Sequence, residues 1–318
     1  MKVLITLKVP EKTLNKLKEY FEVDYNDNLD FLPKDILIQK AKSADAILCP
    51  LSEKIDAEII NSAKNLKIIA NFGAGFDNID IESATKNNVV VTNAPATGST
   101  NSTAELTFAL ILDIMRGITR GEDSLRRGEF KGWKPTYCLG PTLHGKTLGI
   151  FGMGRIGQNL AQKANAFGMN VIYYKRSRLD EEKEKELNVK YLEFEEILKT
   201  CDVLSLNSSY TPSIHHLIGE KELAMMKKDA YLVNTSRGPV IDEKALAKAL
   251  KDKVIKGAAL DVYEFEPKVT EELLYLDNVV LSPHLGNATI EAREEMGEIA
   301  ANNIIAYLNG KVAPNKVN

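Results

Sequence analysis

Three polar residues directly follow apolar runs, at positions that a folded chain would bring together in one reactive site. They are Arg237, Glu266 and His284. Each run predicts a buried strand, and open α/β sheets bind their ligands beyond the carboxyl ends of the strands. The three runs are Tyr231–Asn234, Gly257–Leu260 and Val279–Ser282. We therefore expect the arginine, the glutamate and the histidine to meet at one edge of a sheet.

These residue types suit the reduction of a small 2-keto acid, or the reverse oxidation of a 2-hydroxy acid. Arg237 can bind the carboxylate and polarise the keto oxygen. His284 can deliver a proton to that oxygen, because imidazole titrates near neutral pH. Glu266 can orient the imidazole and favour its protonated form by its charge. The component still missing from this chemistry is a hydride.

A glycine-rich loop predicts a dinucleotide that would supply the hydride. Gly152, Gly154 and Gly157 form a Gly-x-Gly-x-x-Gly motif between a predicted strand and a predicted helix. The first glycine permits a tight turn, the second lets a pyrophosphate approach the backbone, and the third lets the helix pack on the strand. The helix N-terminus offers N–H groups and a partial positive charge to the phosphates. We expect Arg155 and Ile156 to contact the cofactor as well.

The residues after the next predicted strand indicate which dinucleotide is preferred. Dinucleotide-binding folds often place an acidic residue there for the ribose 2′-hydroxyl of NAD(H). Here the position holds a basic stretch, Lys175, Arg176, Ser177 and Arg178, and no carboxylate follows before Asp180. Guanidinium groups bind phosphate oxygens through paired hydrogen bonds. We therefore expect a preference for NADP(H), and the alternative is a solvated basic turn that accepts NAD(H) as well.

Length, charge and cysteine content argue against several other classes of protein. The 318 residues suit two domains, and a formal net charge of −3 favours neither nucleic acid nor an anionic membrane. No apolar run approaches the roughly 20 residues of a membrane span, and no signal-peptide pattern is evident. Cys49, Cys138 and Cys201 have no metal-ligand spacing. We expect reduced thiols, no metal site and a cytoplasmic location.

Two α/β runs must position the candidate residues. Short apolar segments alternate with amphipathic ones before residue 98 and again from about residue 145, which predicts βαβ units and parallel sheets. Between the two runs we predict a helix over Ser102–Arg120, with Ser102 as its N-cap and Glu105 completing a capping box. An irregular segment is predicted from 121 to 141, and it contains the single tryptophan, Trp133.

Taken together, these motifs resemble those of the D-isomer-specific 2-hydroxyacid dehydrogenases, over essentially the whole chain. The resemblance rests on the glycine loop and on Asn71–Asp80, Asn234–Gly238, Ala259–Pro267 and Ser282–Gly286. It implies two doubly wound parallel-sheet domains of the Rossmann-like or flavodoxin-like type, with the cofactor domain inserted in the substrate domain. A substrate domain would comprise residues 1–98 and 289–318, with a dinucleotide-binding domain, 99–288, inserted into it. The family is commonly homodimeric, so we expect a homodimer formed through the helix and loop at 102–141.

The resemblance also implies roles for individual residues. Arg237 would bind substrate, Glu266 and His284 would form the acid–base pair, and the backbone of Ala74 and Gly75 would bind the substrate carboxylate. Leu51 would line the substrate pocket. Further residues expected to line the cofactor site are Thr103, Asn207, Ser208, Thr235, Ser236, Asp261 and Gly286.

Some of these positions leave alternatives open. Asp261 would either bond the nicotinamide amide or cap the turn that follows its strand. Asn207–Ser209 departs from the family, in which a proline is common nearby, and this leaves the nicotinamide contacts open. The segment around Trp133 and the basic stretch are similar to those of glyoxylate/hydroxypyruvate reductases. In those enzymes a tryptophan of the dimer loop can reach the partner's substrate site, and Trp133 would either do this or pack in the interface.

The expected reaction is reduction of glyoxylate or hydroxypyruvate to the D-2-hydroxy acid. The same fold acts on other 2-keto acids, so D-lactate, 3-phosphoglycerate and 2-ketogluconate chemistry are alternatives. The shape of the pocket around Leu51, Phe76 and Trp133 would decide between them. A dinucleotide-sensing scaffold without enzymatic activity is the alternative from another class, although the full catalytic set is retained.

Overall fold

The computed structural model describes residues 1–318, which divide into two compact units. Unit 1 comprises Met1–Ser99 and Ala288–Asn318, and unit 2 comprises Thr100–Asn287. Each unit contains one parallel sheet flanked by helices. This confirms the predicted α/β class with two doubly wound sheets.

Unit 1 is built on a five-stranded parallel sheet in the order β2-β1-β3-β4-β5. Its strands are β1 (Lys2–Ile5), β2 (Glu22–Tyr25), β3 (Ala46–Pro50), β4 (Ile68–Phe72) and β5 (Val90–Thr92). Its first helices are α1 (Glu11–Lys18), α2 (Lys34–Ala41), α3 (Ala57–Ser62) and α4 (Ile81–Lys86). The central strands β3 and β4 are almost fully buried, as expected of a parallel sheet covered on both faces.

Unit 2 is built on a seven-stranded parallel sheet in the order β12-β11-β10-β9-β6-β7-β8. Its strands are β6 (Thr147–Phe151), β7 (Asn170–Tyr174), β8 (Val189–Tyr191), β9 (Val203–Leu206), β10 (Tyr231–Asn234), β11 (Gly257–Leu260) and β12 (Val279–Leu281). The order reverses at β6, which pairs with β7 on one side and with β9 on the other. Such a reversal opens a crevice at the carboxyl ends of the strands, where this fold binds dinucleotides.

The remaining helices cover these sheets or join the two units. They are α5 (Thr97–Arg116), α6 (Ile118–Arg126), α7 (Arg155–Ala166), α8 (Glu181–Leu187), α9 (Phe194–Thr200), α10 (Glu220–Met225), α11 (Glu243–Lys251) and α12 (Ile290–Leu308). Short 3-10 helices occur at Pro212–Ile214, Gly238–Val240 and Glu271–Tyr275. No helix combines the length and the apolar character that crossing a membrane requires.

The single helix predicted over Ser102–Arg120 is wrong at both ends. Helix α5 begins at Thr97, so Ser102 is a buried residue inside the helix and not its N-cap. The cap comes from α12, where the Glu295 carboxylate accepts the N–H groups of Thr97 and Gly98 at 2.9 and 2.7 Å. A partner so distant in sequence leaves no local capping signal.

The other end of that helix is set by a glycine. Gly117 adopts a left-handed conformation, with φ 65° and ψ 43°, and separates α5 from α6. Glycine takes this conformation without the steric cost of a side chain. The irregular segment predicted from residue 121 is therefore helical as far as Arg126, and only the stretch between Arg126 and β6 lacks helix or strand.

Candidate active site

The glycine loop joins β6 to α7, and each of its glycines meets a different steric demand. Gly152 has φ 101°, and a Cβ there would lie 2.6 Å from the backbone nitrogen of Ser208. A Cβ at Gly157 would overlap the carbonyl oxygen of Gly152. A Cβ at Gly154 would meet no atom within 4 Å. The loop therefore packs closely at its first and third glycines and leaves open space at the second, directly before the N-terminus of α7.

Two buried polar atoms beside this loop have no partner within the chain. They are Asn207 Nδ2 and Ser208 Oγ, in the turn after β9 that abuts Gly152. A buried polar group without a hydrogen bond costs about 1–3 kcal/mol, so such atoms usually serve a ligand or an ordered water. Together with the open space at Gly154, they fit a dinucleotide lying across the loop.

The residues of the basic stretch after β7 differ in whether they pair with another side chain of the chain. Arg178 forms a paired contact with Glu184, its Nε and Nη2 lying 2.8 and 2.7 Å from the two carboxylate oxygens. This contact lowers the pKa of Glu184 to about 2. Because this pair occupies the guanidinium, the geometry argues against the predicted contact of Arg178 with a phosphate. Lys175 and Arg176 form no ion pair within the chain, and Arg176 and Ser177 are exposed.

The two residues predicted to act as an acid–base pair are in contact. His284 Nδ1 lies 3.0 Å from Glu266 Oε2, and Glu266 Oε1 accepts the N–H of Tyr263 at 3.0 Å. Burial acts to raise the pKa of Glu266, but the hydrogen bond to His284 and the charges of His284 and Arg237 outweigh it and lower the pKa. The glutamate is thus held as a carboxylate against one ring nitrogen, which leaves Nε2 of His284 for a substrate.

Asp261 holds the loop that carries His284. Its side chain, in a residue that is 1% exposed, accepts from Ser282 Oγ at 2.7 Å and from the N–H groups of Leu285 and Gly286 at 2.7 and 2.8 Å. Its carbonyl oxygen accepts the N–H of His284 at 2.9 Å. Of the two predicted roles, this geometry favours the cap. The turn that it caps follows β12, however, and not its own strand β11.

Arg237 lies in a turn that is stabilised by hydrogen bonds from neighbouring side chains. Asn234 Oδ1 accepts the N–H and hydroxyl of Ser236 at 3.0 and 2.8 Å, and Asn234 Nδ2 donates to the carbonyl of Arg237 at 3.0 Å. A Cβ at Gly238 would overlap the backbone of Tyr263. The turns after β10 and β11 therefore pack backbone against backbone, which brings the arginine turn beside the turn that carries the glutamate.

Other predicted cofactor residues also cluster in unit 2. Thr235 Oγ1 lies 2.7 Å from Thr107 Oγ1, and the Thr107 hydroxyl donates to the carbonyl of Thr103 at 2.7 Å. A Cβ at Gly286 would lie 3.4 Å from the Thr103 side chain. Thr107 was missed by the sequence analysis, as were the structural roles of Gly238 and Tyr263. Their signals are contacts between distant segments, which local spacing does not reveal.

The remaining predicted substrate residues occur in two places. In unit 1, Asn71 Nδ2 and Asn93 Nδ2 donate to the carbonyls of Gly75 and Ala74 at 2.8 and 2.7 Å. The N–H groups of Ala74 and Gly75 donate no hydrogen bond within the chain.

Leu51, the other predicted substrate residue of unit 1, packs against the same loop, since a Cβ at Gly73 would lie 2.5 Å from its side chain. In unit 2, Trp133 is 83% exposed. Its indole therefore packs on little of its own chain, and no contact brings it to Arg237, Glu266 or His284.

A glycine loop beside a trio of arginine, glutamate and histidine, on a sheet of this topology, defines a dinucleotide-binding α/β enzyme class. The model of the D-isomer specific 2-hydroxyacid dehydrogenase NAD-binding domain matches residues 108–286. A protein of Staphylococcus saprophyticus named as a 2-hydroxyacid dehydrogenase is 49% identical over 311 residues, covering 97% of both chains. The chain therefore belongs to the D-isomer-specific 2-hydroxyacid dehydrogenase family and is an oxidoreductase that uses NAD(P), as the resemblance implied.

Solved structures agree with this assignment over the whole chain. A protein from Thermus thermophilus superposes with a TM-score of 0.94 at 40% identity, covering 100% of both chains. An NADPH-dependent glyoxylate/hydroxypyruvate reductase from Sinorhizobium meliloti, in complex with NADP and malonate, superposes with a TM-score of 0.85 at 30% identity, covering 99% of this chain and 96% of that one. These structures are similar in fold to the whole chain.

Proposed function

We propose that the chain reduces a small 2-keto acid, glyoxylate or hydroxypyruvate, to the D-2-hydroxy acid. The observation that carries this proposal is the 3.0 Å contact between His284 Nδ1 and Glu266 Oε2, at the same sheet edge as Arg237. When bound on the glycine loop, the nicotinamide supplies the hydride. The similarity to a glyoxylate/hydroxypyruvate reductase supports this choice among the family's 2-keto acids.

Each member of the trio has a distinct task in this reaction. Arg237 binds the substrate carboxylate and polarises the keto oxygen. Glu266 accepts at Nδ1 of His284 and so orients the imidazole, with Nε2 toward the substrate. His284 then donates the proton on Nε2 to the substrate oxygen, and neutral His284 accepts it in the reverse reaction. We also assign to the N–H groups of Ala74 and Gly75 the binding of the substrate carboxylate, and their lack of partners within the chain supports it.

The preferred cofactor in this proposal is NADP(H). Lys175, Arg176 and Ser177 would bind the 2′-phosphate, since no ion pair within the chain occupies the two cations and no carboxylate precedes Asp180. The relative crystallised with NADP supports the same choice. Residues 99–288 would form the cofactor domain, and 1–98 with 289–318 the substrate domain.

A homodimer formed through residues 102–141 completes the proposal. Six large hydrophobic side chains of this stretch are exposed in the single chain, and association would bury them. They are Ile118, Leu125, Phe130, Trp133, Tyr137 and Leu139. Light scattering of the purified protein should give twice the chain mass, and a monomer at micromolar concentration would contradict this part of the proposal.

A steady-state assay tests the reaction. We expect NADPH oxidation with glyoxylate or hydroxypyruvate to exceed that with pyruvate or 2-ketogluconate, and kcat/KM to be higher with NADPH than with NADH. His284→Ala should lower kcat by about 10²-fold or more, because the proton donor is lost. His144→Ala is the matched control, since this histidine lies outside the trio.

The outcomes of this assay separate the alternatives. Near-normal turnover by His284→Ala would contradict the mechanism. Equal efficiency with NADH would contradict the cofactor preference alone. Tight binding of NADPH without turnover of any 2-keto acid would favour the dinucleotide-sensing scaffold.

A further inference from the structure

A second cluster of histidine and carboxylate groups lies on unit 2, outside the catalytic trio. One ring nitrogen each from His215 and His216 and one oxygen of Glu264 lie within 4.8 Å of one another. His216 Nε2 is 2.7 Å from Glu264 Oε1, and the two imidazole rings stack with centroids 4.0 Å apart. We propose that His215, His216 and Glu264 bind a zinc ion or a similar divalent transition metal, a site that the sequence analysis did not expect.

The donor set and its spacing suit zinc better than other common cations. Imidazole nitrogen and carboxylate oxygen bind zinc at about 2.0–2.2 Å, which places tetrahedral donors roughly 3.3–3.6 Å apart. His215 is exposed, so its ring can move inward by the required distance of about 1 Å. His216 Nε2 and Glu264 Oε1, which are 2.7 Å apart, must separate by roughly 0.6–0.9 Å to take tetrahedral positions. Water would fill the fourth position. Magnesium and calcium prefer sites made only of oxygen ligands.

Hydrogen bonds to neighbouring residues position all three proposed ligands before any ion binds. The Glu264 N–H donates to the carboxylate of Glu243, a residue that is 1% exposed. The His216 N–H donates to a backbone carbonyl at 2.9 Å. The Tyr210 hydroxyl lies 3.3 Å from His215 Nδ1, so Nε2 of that ring is available to the metal. A hydrogen bond to the second ring nitrogen is the usual support of a metal-binding histidine.

An ordinary ion pair explains only part of this arrangement. His216 and Glu264 alone would satisfy each other, and nothing in that pair requires His215. The stack at 4.0 Å instead places the ring of His215 next to that of His216 and the Glu264 carboxylate, and a metal binds imidazole rings in their neutral form. The parallel pair facing a carboxylate is therefore better explained by a shared cation.

The position of the cluster gives the ion a structural effect. Glu264 precedes Glu266 by two residues on the turn after β11, and His216 comes from a separate loop bonded to the turn after β10. A bound ion would link these two segments. The link would exist in the folded protein and not in the unfolded chain. Binding that favours the folded state raises the thermal midpoint as the ion concentration rises.

Calorimetric titration of the full-length, chelator-treated protein with zinc chloride tests the site. We expect one equivalent of zinc, no binding of magnesium, and a higher unfolding temperature with zinc. His215→Ala and Glu264→Gln should each weaken zinc binding by about tenfold or more. His144→Ala should bind zinc as the unaltered chain does.

Two results would overturn the site. One is the absence of zinc binding in the unaltered protein. The other is binding that survives His215→Ala and Glu264→Gln but is lost in His284→Ala or Cys138→Ser, because the ion would then occupy other side chains. Circular dichroism confirms that each variant is folded. Turnover is not part of this test, so its outcome is independent of the proposed reaction.

Discussion

At the residue scale, one buried carboxylate has no part in the proposed chemistry. Glu53 is 5% exposed, its Oε2 accepts the hydroxyl of Thr6, and its Oε1 has no partner. Burial raises the pKa of Glu53 to about 7, although the hydrogen bond from Thr6 acts in the opposite direction. Burial costs less free energy when the carboxyl group is neutral than when it is charged. The stability of the folded protein therefore depends on pH.

The sign of this linkage leads to a prediction. In the unfolded chain a glutamate titrates near pH 4.3, so the folded state binds more protons between about pH 4.3 and pH 7. Neutral Glu53 therefore contributes its full share of the free energy of unfolding below the pKa of the unfolded state. This contribution is lost as the pH rises through the pKa of the folded state. Relative to Glu53→Gln, the unaltered protein should lose about 2–3 kcal/mol of unfolding free energy between about pH 5 and pH 8.

Urea unfolding at several pH values measures this difference. Glu19→Gln, at an exposed position, is the control and should follow the unaltered protein across the range. If the gap between the unaltered protein and Glu53→Gln were the same at every pH, the raised pKa would be disproved.

At the scale of elements, the trio depends on how closely two turns approach. Gly238 has no room for a side chain, because its Cβ would overlap the backbone of Tyr263. Gly238→Ala must therefore move the arginine turn away from the glutamate turn. A displacement of about 1 Å in a catalytic group can cost 10²-fold in rate, and overpacking of this kind costs about 1–3 kcal/mol.

We expect Gly238→Ala to lower kcat by at least about tenfold, with a measurable loss of stability in urea. Gly219→Ala provides the comparison, since its Cβ would meet its nearest atom at an ordinary 3.6 Å. Normal turnover in a folded Gly238→Ala protein would show that the turns tolerate separation.

The same scale shows what the sequence could and could not predict. Strands β10 and β11 were predicted to the residue, because buried parallel strands appear as apolar runs that end in turn residues. The contact between His284 and Glu266 followed from that placement at the strand ends. The start of α5, capped by Glu295, and the pairing of Arg178 with Glu184 could not be predicted, since both depend on side chains from other elements.

At the scale of the whole molecule, the two ends of the chain build one unit. Helix α12 packs on the sheet of unit 1 through Met296, Ala300 and Ile304, all fully buried. Local periodicity predicts an amphipathic C-terminal helix, but it does not say which sheet the helix covers. The family resemblance supplied that connection. Helix α12 also packs against α1, where Gly297 lies next to Thr13.

This contact gives a prediction about how the chain ends cooperate. A Cβ at Gly297 would overlap Thr13 Oγ1, a buried hydroxyl without a hydrogen-bond partner. Gly297→Ala should therefore cost about 1–3 kcal/mol, despite the better helix propensity of alanine. Thr13→Ala removes the obstructing oxygen, and the nearest atom of residue 13 is then its Cβ at 3.1 Å.

The double variant should consequently be more stable than the sum of the single changes predicts, by a coupling of about 1 kcal/mol or more. Urea unfolding of the four proteins of the cycle measures that coupling, because both residues lie in unit 1 and contact each other directly. Additive effects would mean that the Thr13 hydroxyl does not obstruct the new methyl group and that the contact between α1 and α12 adjusts to it by other movements.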